Sequence, residues 1–227
     1  MAVDTETKSL GRLLGDLHAE RVATWDPAAL QVNIDQRRRL VDEADPADWV
    51  KPGDTAPDFH LPEVDGGEVT LKGLTANGPA VLIFFRFAGC PACNIALPYY
   101  ARALWPGLQA LGASLTAISP QVPERLVEIK RRHDLPFNVA SDLNALGGKF
   151  GILYEFDEPS KAAARARGGH IGETTGTGDW RLPQPAVVVI DRDGVVAFAD
   201  VSPDWLVRTE AEPVLEAVRA LQLVEAA

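Results

Sequence analysis

Residues 85–100 read FRFAGCPACNIALPYY and hold Cys90 and Cys93, the only two cysteines of the 227-residue chain. A continuous apolar run directly before this stretch is typical of a buried strand. Gly89 permits the torsions of a tight turn, and Pro91 suits the first position of a helix, where a missing N–H costs little. The stretch therefore predicts a strand, a turn and a helix that begins at or just after Cys90.

The predicted position of the two cysteines favours thiol chemistry. Cys90 would lie where unpaired backbone N–H groups and the positive end of the helix dipole converge, and such a site stabilises a thiolate. Cys93 would follow one turn later on the same face, close enough to attack a mixed disulfide formed on Cys90. The sequence thus predicts a redox-active dithiol, with Cys90 as the nucleophile and Cys93 as the resolving thiol.

Two other interpretations of the cysteine pair stay open. Half of a zinc site would need two further ligands, and the four histidines of the chain show no paired spacing. Two inert buried cysteines are the other interpretation, although the helix start and the intervening proline argue against it. We expect neither a metal ion nor an organic cofactor.

Composition and charge argue against several classes of protein. Hydrophobic residues make up 46% of the chain and charged residues 24%, which is too apolar for a disordered protein. The net charge of −10 opposes binding to a nucleic-acid backbone. No apolar run reaches the ~18–20 residues that a bilayer requires, and the N-terminus MAVDTETKSL lacks the basic and apolar regions of a signal peptide. We therefore expect a cytoplasmic protein that binds neither nucleic acid nor membrane.

The hydrophobic pattern divides the chain into two parts. Residues 1–49 have helical spacing and no strand signal, so we predict a helical extension that packs on the main domain or on the partner subunit of a homodimer. Residues 50–227 alternate strands with helices and end in a hairpin and an amphipathic helix. This order predicts an α/β domain, a three-layer sandwich with a mixed central sheet. A single helix is predicted for residues 91–111, and a mobile loop for residues 168–179.

The sequence around the cysteine pair resembles thioredoxin-fold proteins. The order of strand, turn, Cys-Pro-Ala-Cys and helix is followed by Pro98, at the offset of the helix-kinking proline of thioredoxins. Gln184–Pro185, followed by AVVVI, is similar to the segment in which a cis-proline faces the dithiol in that fold. The resemblance implies that Pro185 takes part in substrate binding.

Most of the chain is similar to the peroxiredoxin-like branch of the alkyl hydroperoxide reductase/thiol-specific antioxidant (AhpC/TSA) family. VKPGDTAPDFHLPEVDGGEVTLKGL, from residue 50, resembles the opening segment of the family domain, and FFRFAGCPACN resembles its active-site segment. Three later segments, LTAISPQVPE, FNVASD and WRLPQPAVVVIDRDG, follow in the family order. The resemblance implies a thioredoxin-like fold and a thiol-based activity.

The chain departs from the family at the peroxide-binding positions. Typical members use Pro-(x)3-Thr-(x)2-Cys and a distant arginine to bind and polarise a peroxide. If Cys93 aligns with their attacking cysteine, Arg86 stands at the proline position and Cys90 at the threonine position. Pro185 replaces the distant arginine, and Phe84 stands where thioredoxins have a buried acid. The comparison implies weak peroxidase activity unless Arg86 substitutes for the missing groups; the alternative for Arg86 is a surface or ion-paired side chain.

The residues and the resemblance together predict a thiol-based antioxidant enzyme. Cys90 and Cys93 would cycle between dithiol and disulfide and reduce a hydroperoxide or a disulfide, with electrons from a thioredoxin or a low-molecular-weight thiol. In direct peroxide reduction, the resemblance implies that Cys93 attacks first. Two alternatives are a binding module, in which oxidation rearranges residues 168–179 and changes a partner contact, and a redox enzyme of a specialised biosynthetic pathway.

Overall fold

The computed structural model describes residues 8–225, which contain nine strands and ten α-helices. The strands are β1 His60–Pro62, β2 Glu68–Thr70, β3 Ala80–Phe84, β4 Ser114–Ser119, β5 Asn138–Ser141, β6 Leu153–Glu155, β7 Arg181–Pro183, β8 Ala186–Ile190 and β9 Val196–Val201. The helices are α1 Leu10–Thr24, α2 Pro27–Asp42, α3 Leu71–Thr75, α4 Pro91–Ala103, α5 Trp105–Ala110, α6 Pro123–His133, α7 Ala145–Lys149, α8 Glu158–Ala166, α9 Ile171–Thr175 and α10 Ala211–Glu225. None of these helices is both long enough and apolar enough to cross a membrane.

Five strands form the central sheet in the order β5-β4-β3-β8-β9. β3 pairs in parallel with β4 and β4 with β5, whereas β8 runs antiparallel to both β3 and β9. The register places Phe84, at the end of β3, opposite Ile118 of β4 and Ala186 of β8. The predicted mixed sheet is confirmed, and so is the hairpin, whose turn closes with the N–H of Gly194 donating to the carbonyl of Asp191.

Helices cover both faces of the sheet, because successive residues of its apolar strands point to opposite sides. Val81 of β3 belongs to a core that includes Leu97 of α4 and Val214 of α10. Leu82, the next residue, belongs to a second core that includes Leu74 of α3. The predicted three-layer, thioredoxin-like architecture is confirmed.

The two N-terminal helices pack on the domain of their own chain. Leu10 and Leu14 of α1 are buried in the core that contains α4. The Glu210 carboxylate, just before α10, accepts hydrogen bonds from the N–H groups of Leu10 at 3.0 Å and Gly11 at 2.8 Å. It also accepts one from the Tyr99 hydroxyl at 2.6 Å. A negative charge at the start of a helix matches the helix dipole, so Glu210 fixes α1 against the domain.

The helix predicted for residues 91–111 is two helices, α4 and α5. Leu104 separates them, with φ −107° and ψ −50°. Pro106 explains the break, because it has no N–H to donate to the carbonyl of Arg102, four residues earlier. Pro98, in contrast, lies inside α4.

The segment predicted to be a mobile loop, residues 168–179, is folded and tied to the domain. It contains α9, and Thr175 at the end of that helix is fully buried. The Thr175 carbonyl accepts a hydrogen bond from the N–H of Val122 at 2.8 Å. A Cβ at Gly172 would lie 2.4 Å from the backbone N of Asp179, so this glycine permits a close approach within the segment. The structure therefore corrects the predicted loop to a hydrogen-bonded, partly helical segment.

We expect Glu210→Gln to weaken the docking of α1. The substitution removes the charge that accepts three hydrogen bonds, and a bond to a charged group contributes about 1.5–3 kcal/mol. Because Glu210 is partly exposed, urea unfolding at neutral pH should show a loss of about 1–2 kcal/mol. Glu212→Gln is the matched control, since Glu212 lies two residues later in the first turn of α10 and pairs with Arg219 at the surface. Equal losses in the two variants would contradict the assigned role of Glu210.

The same substitution predicts a pH dependence. Burial raises the pKa of Glu210, but the hydrogen bonds from Gly11, Tyr99 and Leu10 hold it below the ordinary value of 4.5. A carboxylate with a lowered pKa stabilises the fold fully above its ordinary pKa and loses that contribution as the pH falls through the lowered value. The difference in unfolding free energy between wild type and Glu210→Gln should therefore be constant near neutral pH and shrink in acid.

Candidate active site

The first turn of α4 presents the two cysteines. Cys90 caps α4, with φ −74° and ψ 118°, and Pro91 occupies the first helical position. The Cys90 N–H donates to the carbonyl of Phe87 at 3.1 Å, and the Cys90 carbonyl accepts from the N–H of Asn94 at 3.0 Å. The predicted strand, turn and helix are confirmed, with the helix beginning directly after Cys90.

Polar side chains hold the turn before α4 in place. The Gln121 Oε1 atom accepts from the N–H of Ala88 at 2.8 Å, and the Ser119 hydroxyl donates to the carbonyl of Arg86 at 3.1 Å. The Asn94 Nδ2 atom donates to the carbonyl of Ala88 at 2.7 Å. Groups from the end of β4 and from α4 itself thus fix the backbone that leads into the dithiol.

Both sulfurs are free thiols inside the core, with Cys90 1% and Cys93 0% exposed. The Cys90 thiol is hydrogen-bonded to Cys93, and burial together with this contact raises the pKa of Cys90 well above its ordinary value. Burial also opposes a charge on Cys93, but the hydrogen bond from Cys90 and the charge of Arg208 lower the pKa of Cys93 well below the ordinary value. The arrangement favours a thiolate on Cys93 and a neutral thiol on Cys90, the reverse of the charges expected from the helix start alone.

Arg208 lies beside Cys93 and is a site residue that sequence reasoning missed. Its Nη2 atom is 3.5 Å from the Cys93 Sγ atom, and its Nε atom donates to the carbonyl of Trp205 at 3.1 Å. Burial lowers the pKa of Arg208, but the neighbouring cysteines raise it above its ordinary value. Arg208 comes from the segment between β9 and α10, 115 residues from Cys93. Its only sequence signal is its place just after the last strand.

Arg86 is buried beside the thiols, which fits neither alternative considered for it. Its guanidinium carbon lies 4.7 Å from the ring centroid of Trp205 and 5.8 Å from that of Phe156. Burial lowers the pKa of Arg86, but Tyr154 and the two cysteines raise it above its ordinary value. The Nε atom has no hydrogen-bond partner among the described residues. Arg86 is therefore neither a surface side chain nor one paired with a carboxylate.

Tyr154 is a further site residue that the sequence did not reveal. Burial raises the pKa of Tyr154 to about 12, so the hydroxyl stays neutral at ordinary pH. The hydroxyl makes no hydrogen bond of standard geometry to residues 8–225, although Arg86 is close enough to act on its pKa. The ring stacks on Phe156 with centroids 5.9 Å apart. A buried, unpaired hydroxyl at this position can donate to an oxygen atom that enters the site.

Pro185 lacks the geometry that the resemblance implies. No peptide bond between residues 8 and 225 is cis, so the bond from Gln184 to Pro185 is trans. Pro185 is buried just before β8, and its carbonyl accepts from the N–H of Ser202 at 2.8 Å. The bond geometry thus differs from the one that the resemblance implies, and a part for Pro185 in substrate binding stays a prediction. A guanidinium does lie beside Cys93, but it comes from Arg208 on another segment.

The histidines do not join the cysteines. His133 contacts the Asn94 Oδ1 atom at 2.8 Å and so supports the side chain that holds the start of α4. Within residues 8–225, no group of three or more His, Cys, Asp or Glu side chains is placed to hold a metal ion. The charged groups that act on the dithiol are instead the guanidiniums of Arg86 and Arg208.

The chain is similar to known proteins in sequence and in fold. The AhpC/TSA family model matches residues 52–199. Peroxiredoxin Bcp from Escherichia coli is 33% identical over 94 residues, which cover 41% of this chain and 58% of that protein. The methylamine utilization protein MauD from Paracoccus denitrificans is 31% identical over 83 residues, which cover 37% of this chain and 40% of that protein. The chain thus spans little more than half of the Escherichia coli protein.

Solved structures extend the similarity in fold. The crystal structure of peroxidoxin BcpB from Mycobacterium tuberculosis aligns with a TM-score of 0.59 at 22% identity. The alignment covers 76% of this chain and 98% of that chain. The similarity confirms the thioredoxin-like fold.

We expect Arg208→Met to raise the pKa of Cys93. The variant loses the cation beside the sulfur, which favours the protonated thiol. At a pH below the pKa of Cys93, each unit by which that pKa rises lowers the thiolate fraction about tenfold. A titration of the reduced protein, followed by the ultraviolet absorbance of the thiolate, measures the change. Arg208→Lys keeps a charge and should shift the pKa less, and Arg219→Met on the surface of α10 is the control. A titration of Arg208→Met that overlays the wild type would contradict the role given to Arg208.

Proposed function

Because the chain belongs to the AhpC/TSA family, we propose that it is a thiol-dependent peroxidase in which Cys90 and Cys93 cycle between dithiol and disulfide. One observation carries the proposal: the Cys93 sulfur contacts both the Cys90 thiol and the Arg208 guanidinium, the latter at 3.5 Å. A thiolate is the form of cysteine that peroxides oxidise. A second thiol in contact with it can resolve the oxidised sulfur.

In the proposed first step, the Cys93 thiolate attacks the distal oxygen of a hydroperoxide. An S–O bond forms, the O–O bond breaks, and the leaving alkoxide or hydroxide takes up a proton. Cys90 is the neighbouring acid that can supply this proton, because its raised pKa keeps it neutral beforehand. Arg86 and Arg208 stabilise the negative charge that develops on the peroxide oxygens. The threonine and the distant arginine do this in typical members of the family.

In the second step, the Cys90 thiolate attacks the sulfenic sulfur of Cys93. The S–S bond forms, the S–O bond breaks, and the departing hydroxide is protonated to water. One hydroperoxide and two thiols thus give an alcohol, water and a disulfide. Both sulfurs belong to one helical turn, so the attack needs little backbone movement. A thiol reductant then restores the dithiol by exchange.

The reductant in this proposal is a thioredoxin-like protein or a low-molecular-weight thiol, and a disulfide is an alternative substrate to a hydroperoxide. Both sulfurs are almost fully buried, so a protein reductant requires local opening of the turn before Cys90.

A cytoplasmic location is proposed because thiol reductants are kept reduced there.

We also propose how the chain is divided into domains and that it forms a homodimer. The family match begins at residue 52, which supports a family domain in residues 50–227 and an added helical extension in residues 1–49. A homodimer stays a prediction, which light scattering of the purified protein tests.

The similarity to the methylamine utilization protein MauD favours a second candidate, a redox enzyme of a specialised pathway. We propose that such an enzyme would exchange disulfides with a partner protein. This candidate keeps the dithiol cycle but not the peroxide step. The disulfide would then form quickly with an oxidised protein and slowly with a hydroperoxide. A redox-responsive binding module would form the disulfide but would turn over neither a hydroperoxide nor an oxidised protein.

The cysteine variants separate the roles of the two sulfurs. With stoichiometric hydroperoxide, the wild type should lose the mass of two hydrogen atoms as the disulfide forms. Cys90→Ser should stop at a sulfenic acid on Cys93, which dimedone traps, whereas Cys93→Ser should consume peroxide no faster than buffer does. Trapping of Cys90 in Cys93→Ser would instead assign the attack to Cys90. A wild type that forms no disulfide with peroxide or oxidised glutathione would overturn the dithiol cycle.

We expect Arg86→Met to lower kcat/KM for hydroperoxide by about 10²–10³-fold, the usual loss when one stabilising donor is removed from an oxyanion site. Methionine keeps the apolar stem between the aromatic rings, and Arg86→Lys keeps the charge and should lose less. Arg12→Met, on the exposed face of α1, is the matched control. A correctly folded Arg86→Met protein with the wild-type rate would show that Arg86 does not act on the peroxide.

A further inference from the structure

A cavity of about 250 Å³ lies next to the start of α4, between the N-terminal helices and α8. Arg21 of α1, Gln36 of α2 and Arg86 contribute polar groups to its wall. Trp205 and Phe156 contribute aromatic rings. The volume is slightly below the ~300–1,000 Å³ of pockets for drug-sized ligands, so the cavity suits a smaller molecule.

Three buried donors in the cavity wall have no partner among the described residues. They are Arg21 Nη1, Gln36 Nε2 and Arg86 Nε. One acceptor in the same wall, Asn33 Oδ1, also has no partner there. The three donor residues are 4%, 4% and 8% exposed, respectively. Gln36 Oε1 accepts from the Trp205 indole N–H at 3.3 Å, which fixes the amide so that Nε2 is the free donor. An unpaired buried donor destabilises the fold, most of all when it is charged, so three in one cavity indicate an acceptor that completes them.

The cavity is cationic, although the chain carries a net charge of −10. Arg21, Arg86 and, at the mouth, Arg167 line it, and no aspartate or glutamate does. Burial, together with the neighbouring cations Arg86 and Arg37, lowers the pKa of Arg21. Two of these guanidiniums also lie over Trp205, with the carbons of Arg21 and Arg86 5.3 Å and 4.7 Å from the ring centroid. The wall therefore combines positive charge with apolar rings.

We propose that this cavity binds a small organic carboxylate with an aromatic or aliphatic body. The carboxylate oxygens would accept from Arg21, Arg86 and Gln36, which are the unpartnered donors. The apolar body would lie against Trp205 and the other rings. Inorganic anions fit the donors but leave the apolar wall uncovered, and neutral apolar molecules leave the donors unpaired.

Binding at this site goes beyond the peroxidase proposal and does not depend on it. Arg86 is the link between the two, since it lines the cavity and also faces the thiols. A carboxylate on Arg86 would offset part of the charge that favours the Cys93 thiolate. An occupied cavity should therefore slow the reaction of Cys93 with peroxide without contacting the sulfur.

Phenylacetate and its neutral counterpart phenylacetamide are the probes for the test. Calorimetry and tryptophan fluorescence of the reduced protein should show saturable binding of one phenylacetate per chain, and binding of phenylacetamide at least tenfold weaker. Repeating the titration on the Cys90→Ser/Cys93→Ser double variant separates this site from the redox activity. Binding there with no peroxidase activity in the wild type would leave the carboxylate site standing while the peroxidase proposal fails.

Two alanines on α2 provide variants that leave the buried arginines in place. Ala29 lines the cavity, whereas its neighbour Ala28 is exposed and does not. Ala29→Phe should fill the cavity and abolish phenylacetate binding, and Ala28→Phe should bind like the wild type. Equal binding by both variants, equal affinity for acid and amide, or no saturable binding at millimolar phenylacetate would each overturn the proposal.

Discussion

The buried guanidiniums of Arg86 and Arg208 are the constraint on which the site depends, because each needs a negative charge close by. A cation taken out of water costs several kcal/mol unless it is paired. A thiolate on Cys93 would meet this need, since the Arg208 Nη2 atom is 3.5 Å from its sulfur. Protonating Cys93 would leave both cations uncompensated, and removing the cations would leave a buried thiolate. This mutual requirement outweighs the stabilisation that the helix start offers to a thiolate on Cys90, so the proton is favoured on Cys90 rather than on Cys93.

The N-terminal helices belong to the wall of this site although they precede the matched family region. Trp205 makes the connection: Arg21 of α1 and Arg37 of α2 lie over its ring at 5.3 Å and 5.7 Å. Arg86 lies over the same ring, and the Trp205 carbonyl accepts from Arg208. Three guanidiniums thus lie around one indole ring, and two of them come from the N-terminal helices. The two N-terminal helices thus contribute to the charged and aromatic surroundings of Trp205, next to Arg86.

The parts of the molecule that could be predicted from the sequence follow from local patterns. The runs at 80–84 and 186–190 are apolar throughout, which suits only a strand covered on both faces, and so the layered fold follows. Cys90 followed by Pro91 marks a helix start for equally local reasons. Arg208 could not be predicted, because only the packing of the last loop brings it to a cysteine 115 residues away. Tyr154 is missed for the same reason, whereas Pro106 is a local signal for the break after α4.

Oxidation should change the charge of the site more than its shape. A disulfide between Cys90 and Cys93 closes a loop within one helical turn, so it restricts the unfolded chain little and requires no change in the sheet. It does remove the thiolate that offsets Arg86 and Arg208, which makes the oxidised site more positive. That charge favours the approaching thiolate of a reductant, and it also favours an anion in the neighbouring cavity. Coupling between two sites is reciprocal, so under the two proposals an anion on Arg86 would in turn favour the disulfide over the dithiol. The cavity and the redox pair would then act on each other through the guanidinium that they share.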